Sequence, residues 1–344
     1  MATTPSSQYS RPTIIDVARA AGVSKSLVSL ALANKPGVSE ASRTKILSAA
    51  QDIGYTSNTW ARSLVRGQTR LIGVVTTDIA SAYNADVVVG IEDEALAEDY
   101  EVVLTHGRRD PDHLARGVQR MLQLGVDGLI IVSSRVPRTV LDAAVRQRPV
   151  VIVGRPDDAG ELVDVIHNDD WLGGCLAVEH LYAQGHRRIG FIATSKQAAV
   201  RARGEAYEHT MQELGLDYRW RMADHHPRTP GFPETVLDAI AGESAADAPT
   251  ALVVSTDGTA ARLLGAALDR GYRIPQDLAL VGYNNSQLAS AVRPALTSIN
   301  QPRNAMGKQA MQFLLERLAG NTEQRVTIMT PELVVRGSSS QTQG

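Results

Sequence analysis

Residues 13–54, TIIDVARAAGVSKSLVSLALANKPGVSEASRTKILSAAQDIG, contain three short helix-forming segments with clear start and stop signals. Thr13 opens a capping box and Gly22 supplies a left-handed stop, which predicts a first helix between them. Ser24 caps a second helix that extends to about Ala33. Because only three residues separate these two helices, the chain must turn sharply between them.

A third helix is predicted between the cap Ser39 and the stop Gly54. Its apolar residues recur at helical spacing and are expected to face the first two helices; they are Ile46, Ala49, Ala50 and Ile53. Two helices joined by so short a turn have the geometry of a helix-turn-helix, whose second helix can enter the major groove of DNA. We therefore expect an all-α helix-turn-helix head.

The amino-terminal face of the second helix carries side chains suited to DNA. Lys25 can reach a guanine edge or a phosphate, and Ser26 and Ser29 can bond to base or backbone oxygens. Leu30 can contact a thymine methyl group. The alternative from these residues alone is an ordinary three-helix bundle that binds no nucleic acid.

Charge is distributed unevenly along the chain. Residues 1–70 carry nine Lys and Arg against three Asp and Glu, a balance of +6, whereas residues 71–344 carry 26 against 34, a balance of -8. The basic end is the one expected to face a polyanion. A solvated basic tail is the alternative, and charge alone does not decide between them.

From Arg70 onward, β-branched runs alternate with helix-length amphipathic segments, a pattern typical of parallel α/β architecture. About nine strands exceed one comfortable sheet, so we expect two α/β lobes with a ligand between them, outside the carboxyl ends of the strands. The predicted strands are LIGVVTTD (71–78), EVVLTHG (101–107), DGLIIVSS (127–134), PVVIVGR (149–155), DVIHND (164–169), RIGFIAT (188–194), ALVVSTD (251–257), LALVGYNN (278–285) and LTSINQP (296–302).

Several classes of protein are disfavoured. No apolar run approaches the roughly 18–20 residues of a bilayer span, and the first residues lack the features of a signal peptide, so we expect a soluble cytoplasmic protein. The single cysteine, Cys175, is expected to be a small buried apolar residue. No nucleophile elbow, Walker loop or dinucleotide fingerprint is present, so we expect neither an enzyme nor a cofactor.

The run from residue 13 to residue 75 closely resembles the head of the LacI/GalR family of bacterial repressors. The resemblance continues along the chain in VDGLII (126–131), EHL (179–181), GHRRIGF (185–191), VRARGEAY (200–207), DLALVGYNN (277–285) and LTSINQPRNAMG (296–307). It implies a ligand-responsive transcriptional repressor. A transport-class solute-binding protein would share the two lobes but lack residues 12–67.

The resemblance also implies a division into domains. The helix-turn-helix head is expected at 12–57, a hinge helix and linker at 58–69, and a two-lobed domain like periplasmic binding proteins at 70–340. The chain is expected to cross between the lobes three times. Lobe 1 is expected at about 70–167 and 302–326, and lobe 2 at about 168–301 and 327–340.

On DNA, the resemblance implies a homodimer whose heads each read half of a near-palindromic operator. The hinge helix matches Asn58–Arg66, and Leu64 matches a leucine that wedges into the minor groove; packing of Leu64 on the sensor domain is the alternative. Many relatives have arginine where this chain has Leu30. The residues assigned to DNA are Thr13, Ser24, Lys25, Ser26, Ser29, Leu30, Ser39, Ser42, Tyr55, Asn58, Ala61 and Leu64.

In the sensor domain, the resemblance places Arg201 first among the ligand contacts, because its Arg-x-Arg-x-x-x-Tyr motif matches the family's anchor for a polar ligand. An inter-lobe salt bridge is the alternative role for Arg201. Most relatives have aspartate at Asn284 and commonly asparagine at Thr256, which puts a typical sugar geometry in doubt. The residues assigned to the ligand are Ser81, Tyr83, Arg155, Arg201, His226, Thr256, Asn284 and Gln301.

The expected effector is a sugar or another small polar metabolite, and neither its identity nor the sign of its effect on operator binding follows from the sequence. His225 and His226 adjoin without a third spaced ligand, so we expect no metal site. No apolar heptad tail follows the last strand, so we expect a dimer rather than a tetramer.

Overall fold

The computed structural model describes residues 12–32, 35–55, 68–218, 220–222 and 230–340. The chain divides into two compact units, Met1–Thr69 and Arg70–Gly344. The hinge segment Asn58–Arg66, including Leu64, lies outside the described residues, as does His226.

The first unit contains the three expected helices, α1 (Ile14–Ala21), α2 (Lys25–Leu32) and α3 (Glu40–Asp52). The Asp16 carboxylate accepts hydrogen bonds from the backbone nitrogen (2.9 Å) and the hydroxyl (2.7 Å) of Thr13, which fixes the start of α1. Gly22 ends that helix at φ 65°, a conformation that favours glycine.

The core of the first unit is small and comes from all three helices. Val17, Val28 and Ile46 are fully buried in it. Arg43 on α3 donates to the carbonyls of Ala31 (2.9 Å) and Lys35 (3.0 Å), so α3 also holds the end of α2 in place. The helix-turn-helix predicted from caps and spacing is confirmed.

The second unit is built on two six-stranded sheets. The strands are β1 Leu71–Thr76, β2 Glu101–His106, β3 Gly128–Val132, β4 Val150–Val153, β5 Asp164–Asn168, β6 Ile189–Ile192, β7 Trp220–Met222, β8 Ala251–Val254, β9 Ala279–Asn284, β10 Thr297–Asn300, β11 Val326–Met329 and β12 Glu332–Val334. The first sheet has the order β11-β5-β4-β3-β1-β2 and is parallel throughout. The second sheet has the order β12-β10-β9-β8-β6-β7, with β12 antiparallel to β10.

Helices cover both sheets, as expected for parallel strands joined by helical crossovers. They are α4 Ala82–Ala97, α5 Pro111–Leu124, α6 Arg138–Val145, α7 Asp170–Ala183, α8 Ala198–Glu213, α9 Phe232–Gly242, α10 Asp257–Asp269, α11 Gln287–Ala291 and α12 Arg303–Leu318. None of the helices in the described ranges combines the length and the hydropathy that a bilayer crossing requires.

All nine predicted strands are present, and three short strands, β7, β11 and β12, were not predicted. Each of the three lies at an edge of its sheet and has at most four residues. Strands this short, without a buried run on both faces, leave little periodic signal in a sequence. The two-lobed α/β fold class is confirmed.

The chain crosses between the lobes three times, near 169, 302 and 330. The last crossing differs from the expected boundary at 326–327, because β11 pairs in parallel with β5 of the first sheet. Lobe 1 therefore extends to Met329, and only β12 and the segment after it return to lobe 2.

Two glycines allow α4 and α12 to pack at very short range in lobe 1. A Cβ on Gly90 would lie 2.1 Å from the carbonyl oxygen of Asn304, and one on Gly307 would lie 2.1 Å from that of Val87. The returning helix α12 thereby becomes part of the lobe 1 core, with Met306 and Leu314 fully buried.

A buried carboxylate holds the returning segment to lobe 1. Asp164 at the start of β5 is fully buried and accepts from the guanidinium groups of Arg317 (2.8 and 2.9 Å) and Arg325 (2.8 Å). Burial raises the pKa of Asp164, but the hydrogen bonds from the two arginines outweigh it, so the pKa lies below its ordinary value.

We predict that Asp164→Ala lowers the free energy of unfolding by about 3 kcal/mol at pH 7, because two guanidinium groups lose their buried partner. Since the pKa of Asp164 is lowered by folding, this contribution is complete above its ordinary value of 3.8 and is lost as the pH falls below that value. Urea unfolding between pH 3 and pH 7 measures it. Asp142→Ala, which removes an exposed partner of Arg138, should have a much smaller effect; equal effects would contradict the assignment.

Candidate functional site

The exposed surface of the first unit presents the residues predicted to meet DNA. Lys25, Ser26 and Ser29 on α2 are exposed, and Leu30 is half-buried. Tyr55 packs at the margin of the three-helix core. Asn58, Ala61 and Leu64 lie outside the described residues.

Serine caps lie at the beginnings of α2 and α3. The Ser24 hydroxyl accepts from the backbone nitrogen of Leu27 at 3.2 Å, and the Ser39 hydroxyl accepts from that of Ser42 at 3.2 Å. The partial positive charge of a helix amino terminus and its free N–H groups suit a phosphate. These serines therefore have a structural role that is compatible with contact to the DNA backbone.

In the second unit, a cleft of about 730 Å³ opens between the lobes and is lined by residues that follow the carboxyl ends of the strands. Its lining includes six of the eight residues assigned to the ligand: Ser81, Tyr83, Arg155, Thr256, Asn284 and Gln301. The Gln301 side chain donates to the Asn284 amide oxygen at 2.7 Å, so these two residues orient each other at the cleft surface.

Three residues that line the cleft, Asn168, Asp170 and Arg203, form a hydrogen-bonded group with the buried Tyr283. We call these four residues the floor cluster. Arg203 is paired with Asp170 at 2.8 Å and donates to the carbonyl of Ser255 at 2.8 Å. The Asn168 amide donates to the Tyr283 hydroxyl at 2.9 Å, so the cluster joins the end of β5 in lobe 1 to β9 in lobe 2.

Charge within the floor cluster is fixed by its surroundings. The guanidinium carbon of Arg203 lies 3.5 Å from the centroid of the Tyr283 ring, a cation–π contact. Burial lowers the pKa of Arg203, but the charge of Asp170 outweighs that effect and the net pKa is raised. Burial likewise raises the pKa of Tyr283, so Arg203 stays cationic and Tyr283 neutral at physiological pH.

The structure places Arg201 apart from the six assigned residues that line the cleft. Its side chain is half exposed, pairs with Asp157 at 3.0 Å and does not line the cleft. Residues two apart on a helix point about 200° apart, so Arg201 and Arg203 lie on different faces of α8, and only Arg203 of the two lines the cleft. Asp157 belongs to lobe 1 and Arg201 to lobe 2, which is the inter-lobe salt bridge considered as the alternative.

The sequence analysis did not assign the floor cluster to the ligand site, and it did not assign Arg135 of the cleft either. Asn168 is the last residue of β5, and Asp170 begins α7 directly after it. Arg135 likewise follows β3 by three residues and lines the cleft. Polar residues directly after buried parallel strands were the available signal. Across the described residues, no group of three His, Cys, Asp or Glu side chains could hold a metal ion.

Comparison with known proteins agrees with both units. Residues 13–58 match the model described as bacterial regulatory proteins, lacI family, and residues 178–339 match the periplasmic binding protein-like domain. The HTH-type transcriptional repressor PurR of Photobacterium profundum is 32% identical over 332 residues, which cover 95% of this chain and 98% of that protein. PurR of Haemophilus influenzae is 30% identical over 336 residues, with the same coverage.

Solved structures that cover nearly the whole chain include two repressor complexes. The Lac repressor dimer bound to operator and the anti-inducer ONPF is 26% identical with a TM-score of 0.83, covering 96% of this chain and all of that one. The transcriptional regulator CelR in complex with cellobiose is 27% identical with a TM-score of 0.68, covering 95% of this chain and all of that one.

The chain belongs to the lacI family of bacterial regulatory proteins. It is a ligand-responsive, DNA-binding transcriptional regulator.

We predict that Arg201→Ala and Asp157→Ala each lower the free energy of unfolding by at most about 1 kcal/mol, because their ion pair is exposed. The double variant should show less than the sum of the two effects, as expected for contacting residues. Chemical unfolding of the parent, the two single variants and the double variant measures the coupling energy between the two residues. Loss of ligand affinity in Arg201→Ala, without the same loss in Asp157→Ala, would restore Arg201 as a ligand contact.

Proposed function

We propose that this protein is a repressor that binds a palindromic operator as a homodimer and is switched by a small polar molecule in the interlobe cleft. The observation that carries the proposal is that the cleft is lined by polar side chains from both lobes over the floor cluster. A molecule that touches both lobes favours one lobe arrangement over another, and it can change operator affinity only by that preference.

On the DNA side, the face formed by Lys25, Ser26, Ser29 and Leu30 is proposed to read bases, with the serine caps on the phosphate backbone. Leu64 is proposed as the minor-groove wedge. Relatives with known complexes support these roles, since the Lac repressor was solved as a dimer on its operator. Acting on chromosomal operators requires a cytoplasmic, nucleoid-associated location.

On the ligand side, the floor cluster calls for a molecule with hydrogen-bond donors. The Asn168 amide oxygen is buried and has no hydrogen-bond partner among the described residues. A buried acceptor of this kind costs free energy until a donor reaches it. A hydroxylated ligand supplies one, and the CelR complex with cellobiose supports such a ligand class. The protein is proposed to act by binding alone, without catalysis.

The test is operator binding, measured by fluorescence anisotropy on palindromic fragments from the gene's own upstream region. We predict that a fragment of residues 70–344 folds and retains ligand binding but binds no operator, because it contains both sheets and lacks the helix-turn-helix. Thermal unfolding and calorimetry provide the folding control. Specific operator binding by that fragment would remove the head from the mechanism.

We further predict that Lys25→Ala makes operator binding less sensitive to salt. The negative slope of the logarithm of the operator association constant against the logarithm of salt concentration should become smaller in magnitude by about one, because one phosphate-neutralising charge is lost. Anisotropy titrations between 50 and 200 mM salt, roughly the range over which such slopes are read, measure it. Lys308→Ala in the sensor unit is the matched control. An unchanged slope in Lys25→Ala together with relaxed base preference would instead place Lys25 on a guanine edge.

A further inference from the structure

The lobe 1 wall of the cleft carries three arginines, each of which follows the end of a strand of the first sheet. Arg109 comes three residues after β2, Arg135 three residues after β3 and Arg155 two residues after β4, and all three line the cleft. We call this group the arginine face. Parallel strands end at the same edge of a sheet, which is why the fold brings these side chains together.

The acidic residues near the arginine face are already paired, and one of them neutralises Arg109 of that face. Asp78 pairs with Arg109 at 2.6 Å. Outside the cleft, Asp157 pairs with Arg201 and Asp158 with Arg138. Among the described residues, no carboxylate lies within ion-pair distance of Arg135 or Arg155.

Arg135 is held in place by neutral groups. Its guanidinium donates to the backbone carbonyl of Arg109 at 3.1 Å, and Gln197 on lobe 2 also accepts from it when the amide presents its oxygen. Burial and the positive charge of Arg109 lower the pKa of Arg135. The guanidinium groups of Arg109 and Arg135 repel each other, and an anion bound to Arg135 offsets that repulsion.

The positive charge of this wall is not a consequence of overall composition. Residues 71–344 carry 26 Lys and Arg against 34 Asp and Glu. The arginine face is therefore cationic inside an acidic domain. The cleft lining has six Lys and Arg against two Asp, and a cleft with an excess of one sign of charge concentrates ligands of the opposite sign. Guanidinium groups bind phosphate and carboxylate with two parallel hydrogen bonds.

We propose that the effector is an anionic polyol, with its phosphate or carboxylate on Arg135 and Arg155 and its hydroxyl groups over the floor cluster. The unpartnered amide oxygen of Asn168 accepts from one hydroxyl, and Asn284 with Gln301 supplies further neutral donors and acceptors. This assignment rests on the proposed function of the cleft as the effector site. Sugar phosphates and sugar acids share the required chemistry.

The first test uses inorganic phosphate on the full-length protein. At constant ionic strength, exchange of chloride for phosphate should raise the melting temperature of the parent, since an anion that binds the folded state stabilises it. The double variant Arg135→Gln/Arg155→Gln should lose most of that rise. Arg138→Gln is the control, because Arg138 is an exposed arginine of lobe 1 paired outside the cleft. No rise in the parent, or an equal rise in all three proteins, overturns the proposal.

The second test compares matched compounds by calorimetry: glucose, gluconate and glucose 6-phosphate, then ribose, ribonate and ribose 5-phosphate. In at least one series a charged member should bind about tenfold or more tightly than its neutral sugar, as expected for a charge-assisted bidentate contact. Arg155→Gln should reduce this advantage, and Arg138→Gln should not. Tighter binding of the sugar acid or of the sugar phosphate identifies whether the effector carries a carboxylate or a phosphate.

Operator titrations with the same compounds separate the two proposals. A neutral sugar could bind and change operator affinity while its charged derivatives bind no more tightly. That result would support control of operator binding from the cleft and would overturn the proposal of an anionic effector. A charged compound could instead bind through Arg155 without changing operator affinity. That result would support the anion site and would contradict control of operator binding from the cleft.

Discussion

The buried ion pair between Arg203 and Asp170 is the interaction on which the cleft depends. Asp170 begins α7 directly after the first crossing between the lobes, and Arg203 reaches it from α8. Taking two charges out of water is costly, so this pair is poor at stabilising the fold. The pair instead fixes charged and hydrogen-bonding side chains at the base of the cleft, where the two lobes meet.

Packing around that pair leaves no freedom in its geometry. Tyr283 stacks on the guanidinium of Arg203, and a Cβ on Gly173 of α7 would lie 2.1 Å from the Tyr283 hydroxyl. Glycine at that position lets the helix approach the ring. A ligand therefore meets a preformed floor. The exposed pair of Arg201 and Asp157, which is worth little in water, adds little to the contacts that hold the lobes together.

Much of the fold could be predicted from the sequence, because caps, stops and buried runs are local signals. The head helices and nine of the twelve described strands were predicted in this way. Six of the eight residues assigned to the ligand line the cleft, Ser81 and Arg155 among them. The family motif places Arg201 at the ligand, whereas helical spacing gives Arg203 a different environment, since Val200, Arg203 and Tyr207 share the buried face of α8. The floor cluster could not be predicted from local signals, because its residues are far apart in the sequence and are brought together only by the fold.

The central claim is that occupation of the cleft controls the head, and binding linkage tests it most directly. The dissociation constant of the compound that binds the cleft is measured by calorimetry on the free protein and on protein saturated with operator. The two constants should differ by the factor by which that compound changes operator affinity, on the order of 5–150-fold. Equal constants for the free and the operator-bound protein would contradict the claim.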